Sequence, residues 1–275
     1  MARRRERLEA LAAEIGCEYW AADLSDEAQV EEMAARVLEG GPVDALVNNA
    51  GGAIGVDSVA DSDPARWSAM FDRNVLTALH CSRAFLPGMR ERGGDLVFVT
   101  STAAHDTYPG GGGYVAAKHA ERIIANTLRQ ELVGEPVRII EIAPGMVHTE
   151  EFSLNRLGSR EAADRVYEGV AAPLVAEDIA EAIVWTLERP SHVNIDSIRA
   201  PGGSGDEHSR GQERPRGVDG GADHGSGTRP GWVGPQRAVR VPFVETTATQ
   251  STLHSVIDRA QTFIGCSQFR HNVPS

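Results

Sequence analysis

Three side chains with complementary acid–base chemistry, Ser101, Tyr114 and Lys118, lie close together in the sequence. Tyr114 and Lys118 are four residues apart near the start of a predicted helix, so their side chains project from one helix face. A free phenol has a pKa of about 10, and a neighbouring ammonium favours the phenolate and lowers that pKa. Ser101 ends a predicted strand, where its hydroxyl is placed to donate to a substrate oxygen beside Tyr114. The set suits proton transfer to or from an alcohol or carbonyl oxygen.

Lys118 is the only lysine among the 27 basic residues of the chain. Lysine is normally one of the commonest residues, so a single lysine invites two interpretations. Either the sequence is biased toward arginine and this lysine is present by chance, or the position needs a compact ammonium with an adjustable pKa. The Tyr-x-x-x-Lys spacing by itself also occurs by chance in many chains, and these residues alone leave both interpretations open.

Alternating helices and strands are predicted to position these residues. Strands that alternate with helices of twelve or more residues indicate parallel βαβ units, so the sequence predicts an α/β, doubly wound parallel sheet. Ligands of such sheets bind at the carboxyl ends of the strands, where Ser101 lies and to which the Gly110–Gly113 loop returns the chain. The predicted helices cover residues 4–15, 26–38, 64–90, 114–132 and 176–188, and the predicted strands cover 18–22, 43–48, 96–100, 137–142 and 193–198.

Three weaker signals follow or interrupt these elements. The segments Val47–Gly51 and Pro144–Thr149 each end a strand at the crevice, although either could be a simple turn. Asn74 is a poor helix former inside a predicted helix, and its plain interpretation is a solvated surface amide.

Composition excludes several classes of protein. In 275 residues with 41% hydrophobic side chains there is enough apolar material for a core, which excludes a wholly disordered or fibrous chain. The net charge of −12 is acidic, so a nucleic-acid-binding surface is not expected. Three widely spaced cysteines argue against a disulfide framework, and no apolar run reaches membrane-spanning length. With no signal-peptide pattern either, a cytoplasmic protein without membrane partners is expected.

The character of the chain changes after residue 200. Residues 201–235 contain 11 glycines and 4 prolines, too little apolar surface to offset the entropy of ordering. The sequence therefore predicts a partial α/β domain over 1–200 and a largely disordered tail over 201–275. The tail's histidines and cysteine have no metal-ligand spacing, and no metal site is assigned to them: His208, His224, His254, Cys266 and His271.

Together these motifs resemble the short-chain dehydrogenase/reductase family from about residue 2 to residue 198. The resemblance is carried by Asn48-Asn49-Ala50-Gly51, by Pro144-Gly145 with Thr149, and by the four residues Asn74, Ser101, Tyr114 and Lys118 at family spacing. Within the family, Tyr108–Gly111, Glu151–Ser153 and Arg189–Ile195 look most like the NADP-dependent 3-hydroxy acid and serine dehydrogenases.

The resemblance implies a role for each residue. Tyr114 would be the general acid/base, Lys118 would lower its pKa and hold the nicotinamide ribose, Ser101 would orient the substrate, and Asn74 would support a proton-relay water. The cofactor, NADP rather than NAD, would be contacted by these residues: Arg3, Arg4, Asp23, Asn48, Ala50, Gly51, Tyr114, Lys118, Val147 and Thr149. Arg3 or Arg4 matches the place that binds the 2′-phosphate. A homodimer or homotetramer is expected from the long helices, with a small molecule as substrate.

One departure from the family pattern leaves two hypotheses for the function of the chain. The family opens with a strand and a glycine-rich turn that holds the pyrophosphate, and this sequence contains no Gly-x-Gly-x-x-Gly. The domain is therefore expected to be incomplete at its N-terminus and to bind NADP no better than millimolar. The first hypothesis is an oxidoreductase that interconverts a secondary alcohol and a ketone on a small polar substrate, such as a 3-hydroxy acid. The alternative is an inactive remnant that acts only as a folding or dimerising module.

Overall fold

The computed structural model describes residues 1–149, 151–170 and 172–202. Its α-helices are α1 (Arg5–Ile15), α2 (Glu27–Glu39), α3 (Pro64–Phe71), α4 (Thr77–Arg92), α5 (Gly112–Glu131), α6 (Phe152–Leu157), α7 (Arg160–Arg165) and α8 (Ala176–Leu187). Its strands are β1 (Ala45–Asn48), β2 (Gly94–Val99), β3 (Val137–Pro144), β4 (Val147–His148), β5 (Leu174–Val175) and β6 (Ser197–Ala200). The predicted tail, including the histidines and cysteine named above, lies outside the described residues from 203 onward.

The main sheet is parallel and has the strand order β1-β2-β3-β6. In register, Leu46 pairs with Leu96, which in turn pairs with Ile139. The short strands β4 and β5 form a separate parallel pair. The predicted parallel α/β architecture is confirmed.

Both faces of the main sheet are covered, because successive strand residues point to opposite sides. On one face Leu46, Phe98 and Ile139 pack in a core cluster with residues of α2, α4 and α5. On the other face Val47, Val97 and Ile140 pack with residues of α8. Helices on both faces of a parallel sheet are the doubly wound arrangement that the sequence predicts.

The predicted strand 18–22 is wrong. In this segment Ala21 forms one isolated parallel bridge with Ala2, in which the Ala22 amide donates to the Ala2 carbonyl at 3.0 Å. A strand needs a partner of similar length, and here the partner is a single residue beside the start of α1. Within the described residues, β1 therefore has a neighbouring strand on one side only.

The last predicted strand begins late, at Ser197 rather than residue 193. Two guanidinium groups bind carbonyls of the residues that precede this strand. Arg138 Nη1 donates to the Val193 carbonyl at 3.1 Å, and Arg129 Nη2 donates to the Asp196 carbonyl at 2.9 Å. The Asp196 carbonyl also accepts from the Glu141 amide of β3 at 3.1 Å, so pairing with β3 begins at this carbonyl, while Arg138 engages the Val193 carbonyl before it.

The long helix predicted over 64–90 is interrupted by a π-helical turn at Asp72–Leu76. It begins as expected, with Pro64 at the first position and the Asp63 carboxylate accepting from the Ala65 amide at 2.8 Å. It continues as α4 to Arg92. The wide turn places Asn74 in the interior, where it is fully buried.

No helix in the described part of the chain is both long and apolar enough to cross a membrane.

Candidate active site

Ser101 and Tyr114 meet where the carboxyl end of β2 faces the first turn of α5. The Ser101 hydroxyl accepts from the Ala103 amide at 3.1 Å and lies 3.4 Å from the Pro144 carbonyl. It is also within hydrogen-bonding reach of the Tyr114 phenol. Tyr114 is buried, with its ring edge against Phe152 at a centroid distance of 5.8 Å. Two hydroxyls thus face one crevice at the end of the sheet.

Burial raises the pKa of the Tyr114 phenol above its ordinary value. Lys118 and the hydrogen bond from Ser101 act in the opposite direction, but burial outweighs them. The lowering effect of Lys118 on the pKa of Tyr114, which the sequence predicts, is therefore present, although burial outweighs it. At neutral pH the phenol is protonated.

Lys118 lies inside the protein rather than at its surface. Its ammonium donates to the Val99 carbonyl at 3.0 Å and to Glu121 Oε2 at 2.7 Å. Burial disfavours the charged form, but the negative charge of Glu121 and the proximity of Tyr114 together raise the pKa of Lys118. The ammonium stays charged next to Tyr114.

Asn74 joins the π-helical turn to the loop that follows β1. Its side-chain nitrogen donates to the Gly52 carbonyl at 2.9 Å and to the Met70 carbonyl at 2.7 Å, and its oxygen accepts from the Gly52 amide at 3.0 Å. The interpretation of Asn74 as a solvated surface amide is therefore wrong. A Cβ atom on Gly51 would overlap Asn74 Oδ1 and lie 3.4 Å from Lys118 Nζ, so only glycine permits this approach.

The end of β1 contributes a second buried amide. Asn48 donates through Nδ2 to the Ser82 hydroxyl on α4 at 3.1 Å, and Ala50 packs against the adjoining core. This bond fixes the carboxyl end of β1 to α4. The Asn48 amide is thus turned toward the helix.

The N-terminal cations divide into two environments. Arg4 forms a two-pronged hydrogen bond with the Glu151 carboxylate, at 2.6 and 2.7 Å. Arg3 acts electrostatically on Asp23 and Arg73. Asp23 accepts from the Ser25 hydroxyl at 2.7 Å, which is the main cause of its lowered pKa. Arg4 is thus engaged by a carboxylate, whereas Arg3, Asp23 and Arg73 form a group near Gly52.

Two more of the residues predicted to contact the cofactor, Val147 and Thr149, lie in the segment after β3. The Val147 carbonyl accepts from the Tyr167 hydroxyl at 3.0 Å, and the Thr149 hydroxyl accepts from the Phe152 amide at 3.3 Å. These bonds hold the segment so that Phe152 reaches Tyr114.

Sequence reasoning missed Arg73 and Glu121. Arg73 is half-buried, with its side chain 3.6 Å from a Cβ position on Gly52, and burial followed by the charge of Arg3 lowers its pKa. Glu121 is fully buried three residues after Lys118. The i, i+3 spacing between Glu121 and Lys118 could have indicated this contact from the sequence, whereas no sequence pattern indicates a role for Arg73.

A shallow cleft next to Tyr114 encloses about 10 Å³, which is room for about one water molecule. Its apolar wall includes Ile54, Trp67 and Met70, and its rim carries the ion pair between Arg66 and Asp57. The cleft thus combines an apolar wall with a charged rim.

Comparison with known proteins decides the family. The profile of the family described as short chain dehydrogenase matches residues 1–157. The chain belongs to the short-chain dehydrogenase family. It is thus an oxidoreductase by family, as the resemblance implied. No Gly-x-Gly-x-x-Gly occurs in this short-chain dehydrogenase.

Several relatives are similar over most of their length. The chain is 52% identical over 200 residues to an uncharacterized oxidoreductase of Mycobacterium tuberculosis (strain ATCC 25618 / H37Rv), covering 72% of this chain and 78% of the relative. It is 39% identical over 199 residues to the serine 3-dehydrogenase of Rhizobium radiobacter, covering 71% and 80%. It is 40% identical over 201 residues to the NADP-dependent 3-hydroxy acid dehydrogenase YdfG of Salmonella typhi, covering 71% and 81%.

Solved structures show the same fold. The closed form of serine dehydrogenase complexed with NADP+ superimposes with a TM-score of 0.68 at 37% identity, covering 72% of this chain and 82% of that one. The serine dehydrogenase from Escherichia coli gives a TM-score of 0.61 at 36% identity, covering 72% and 83%. The predicted Rossmann-like fold of this family is thereby confirmed.

Proposed function

We propose that this short-chain dehydrogenase is an NADP-dependent oxidoreductase that interconverts a secondary alcohol and a ketone on a small polar substrate, such as a 3-hydroxy acid. The observation that carries the proposal is the meeting of the Tyr114 and Ser101 hydroxyls at one crevice, above the buried ammonium of Lys118. The names of the relatives support the cofactor and the substrate class, since they include an NADP-dependent 3-hydroxy acid dehydrogenase and serine 3-dehydrogenases.

The residues present fit the two ends of a dinucleotide. At one end Gly51, Asn74 and Lys118 come together, and these residues would hold the nicotinamide ribose. At the other end Arg3 and the desolvated Arg73 offer two guanidinium groups for a 2′-phosphate. Arg4 is assigned no phosphate contact, because Glu151 engages it. When bound, the cofactor supplies or accepts the hydride.

The protein's own residues then handle the proton. Because the buried Tyr114 phenol is protonated at neutral pH, it begins as the acid and donates to the carbonyl oxygen of a ketone. Ser101 donates a hydrogen bond to the same oxygen and holds it beside Tyr114. The Lys118 ammonium stabilises the phenolate that remains. In the reverse direction the phenolate accepts the proton of the alcohol.

Substrate selection is assigned to the cleft beside Tyr114. The apolar wall of Ile54, Trp67 and Met70 would pack against the carbon chain of the substrate. Arg66 on the rim would attract a carboxylate at the expense of its exposed pair with Asp57. A short substrate with one polar end satisfies both parts of the cleft.

The test is Tyr114→Phe, assayed with NADP(H) and a panel of 3-hydroxy acids and the corresponding ketones. Turnover is expected to fall by about 10³-fold, while NADP affinity measured by calorimetry stays within about twofold. Tyr19→Phe is the matched control, because Tyr19 contacts Glu9 far from the crevice. Robust turnover by Tyr114→Phe would remove Tyr114 from the mechanism.

The same calorimetry separates the two hypotheses for the chain. The inactive-remnant alternative, which the comparisons do not favour, requires that NADP bind no better than millimolar and that no substrate turn over. Micromolar NADP binding to the 275-residue chain, with turnover, supports the oxidoreductase.

A further inference from the structure

Glu121 is a buried acid that the proposed proton transfer does not use. It lies on α5 and is fully buried, with Oε2 accepting from the Lys118 ammonium at 2.7 Å. Its second oxygen, Oε1, is buried and has no hydrogen-bond partner among the described residues. A carboxylate with one unsatisfied oxygen in the interior is costly, and this cost favours the neutral acid.

A second buried acid, Glu141 on β3, lies on the strand face that α5 covers. Glu141 is well satisfied: it accepts from the Thr100 hydroxyl at 2.7 Å, faces His105 Nε2 at 3.1 Å and lies 3.8 Å from Arg122 Nε. Its negative charge acts on Glu121. Of the two buried acids, Glu121 therefore has fewer polar partners to offset the cost of burying its charge.

The groups facing Glu121 determine where it titrates. Burial is the largest influence and raises the pKa of Glu121, and the negative charge of Glu141 raises it further. The charge and hydrogen bond of Lys118 act in the opposite direction. The net result is a pKa of about 7. The charge of the Lys118–Glu121 pair therefore changes across neutral pH. The carboxylate form also raises the pKa of Tyr114, because it offsets the ammonium that favours the phenolate.

We propose that Glu121 is a positioning residue whose charge controls how strongly Lys118 favours the ionised form of the Tyr114 phenol. When Glu121 is neutral, the ammonium of Lys118 acts on Tyr114 without an opposing charge. When Glu121 is ionised, the ammonium is shared between a carboxylate and the phenol. The inference rests on the proposed function in one respect only, the use of Tyr114 as the acid/base.

The first test follows the ultraviolet absorbance of tyrosinate as pH is raised, in the full chain and without cofactor. The contribution of Tyr114 is the difference between the parent and Tyr114→Phe. In Glu121→Gln, which keeps the shape and removes the charge, the Tyr114 midpoint is expected to move about one pH unit lower. Glu131→Gln is the matched control, an exposed glutamate at the end of the same helix, and should leave the midpoint in place. An unchanged or higher midpoint in Glu121→Gln overturns the proposal.

The second test does not depend on the folding of the Glu121 variant. Carbon-13 NMR of glutamate-labelled parent protein should show one carboxyl that titrates near neutral pH. Glu141→Gln removes the neighbouring negative charge and should move that midpoint lower, whereas Glu131→Gln should not. If no carboxyl titrates above about pH 6, Glu121 stays ionised and the inference fails.

Failure of the two proposals can be told apart. If Tyr114→Phe retains turnover, Tyr114 is not the acid/base, whatever the titrations show. If Tyr114→Phe is inactive and both titrations are insensitive to Glu121 and Glu141, the proposed function stands and Glu121 is only a packing residue.

Discussion

Two regions of the molecule hold their charged side chains in opposite ways. In the sheet region, formed by β2, β3 and α5, the side chains of the Arg138–Asp95 pair are 11% and 13% exposed. In the N-terminal segment, residues 1–24, Arg4 is 49% exposed where it meets Glu151. Water screens the second pair and not the first, so the contribution of a contact to stability depends on where it lies rather than on its length.

The largest expected effect is in the sheet region, on replacing Arg138. Arg138→Met leaves the Asp95 carboxylate unpaired in the interior and removes the donor that binds the Leu187 and Arg189 carbonyls. The free energy of unfolding, measured by urea denaturation, is expected to fall by about 3–5 kcal/mol. Arg90→Met is the control, because its pair with Glu135 is exposed to water and should contribute far less to stability. Equal losses in both variants would remove the distinction between the regions.

The next effect concerns Gly51, which lies beside Asn74 and Lys118. Gly51→Ala places a Cβ against Asn74 Oδ1 and disturbs the bonds between Asn74 and Gly52, so the free energy of unfolding is expected to fall by about 2–3 kcal/mol. In Gly88→Ala the new Cβ meets only the flexible end of Arg92 inside α4, and a gain of up to about 1 kcal/mol is expected. Urea denaturation of both variants measures the difference. If Gly51→Ala unfolds with the same free energy as the parent, the loop around Gly51 can shift to accommodate the new Cβ.

A smaller effect is the pH dependence that Glu121 confers on the sheet region. Its pKa is about 7 in the folded protein against an ordinary value of 4.5, so between these values the unfolded chain has lost a proton that the folded one keeps. The contribution of Glu121 to stability is therefore fully present below about pH 4.5 and is lost as pH rises through about 7. From about pH 5.5 to about pH 8 the parent should lose about 1–2 kcal/mol more than Glu121→Gln. Parallel slopes for the two proteins would contradict the raised pKa.

The smallest effect is in the N-terminal segment. Glu151→Gln removes the carboxylate that Arg4 and Arg7 share, yet these guanidinium groups are 49% and 45% exposed. The expected loss in the free energy of unfolding is below about 1 kcal/mol, and it should shrink as salt is added. A loss as large as that of Arg138→Met would show that the segment is held by its ion pairs.

The sequence predicts the elements whose signals are local. The apolar and β-branched runs of β2 and β3 and the amphipathic pattern of α5 place these elements within a few residues of their observed bounds. The segment 18–22 has a similar pattern but only Ala2 as a partner, and a partner is not a property of the segment. The π-helical turn likewise has no local marker, because it is stabilised by bonds from Asn74 to Gly52 in a distant loop.

The residues of the candidate site also differ in whether a local sequence pattern predicts their contacts. Ser101, Tyr114 and Lys118 are recognisable because strand end and helix spacing alone bring them together. The engagement of Arg4 by Glu151 joins residues 147 positions apart, which no local pattern contains. The net direction of the Tyr114 pKa was also out of reach, since burial depends on the packing of Phe152 and neighbouring elements.

The π-helical turn at Asp72–Leu76 has a consequence for how the chain tolerates length changes. It acts as a one-residue phase shift between two stretches of helix. On one side of it, Trp67 and Met70 pack beside Tyr114, and on the other, Phe85 and Met89 pack under the sheet. Deleting one residue from the turn would restore a continuous α-helix and rotate one stretch against the other by about 100°. Both sets of side chains would then no longer fit their sites together, so loss of a single residue here should be far less tolerated than substitution of the same residue.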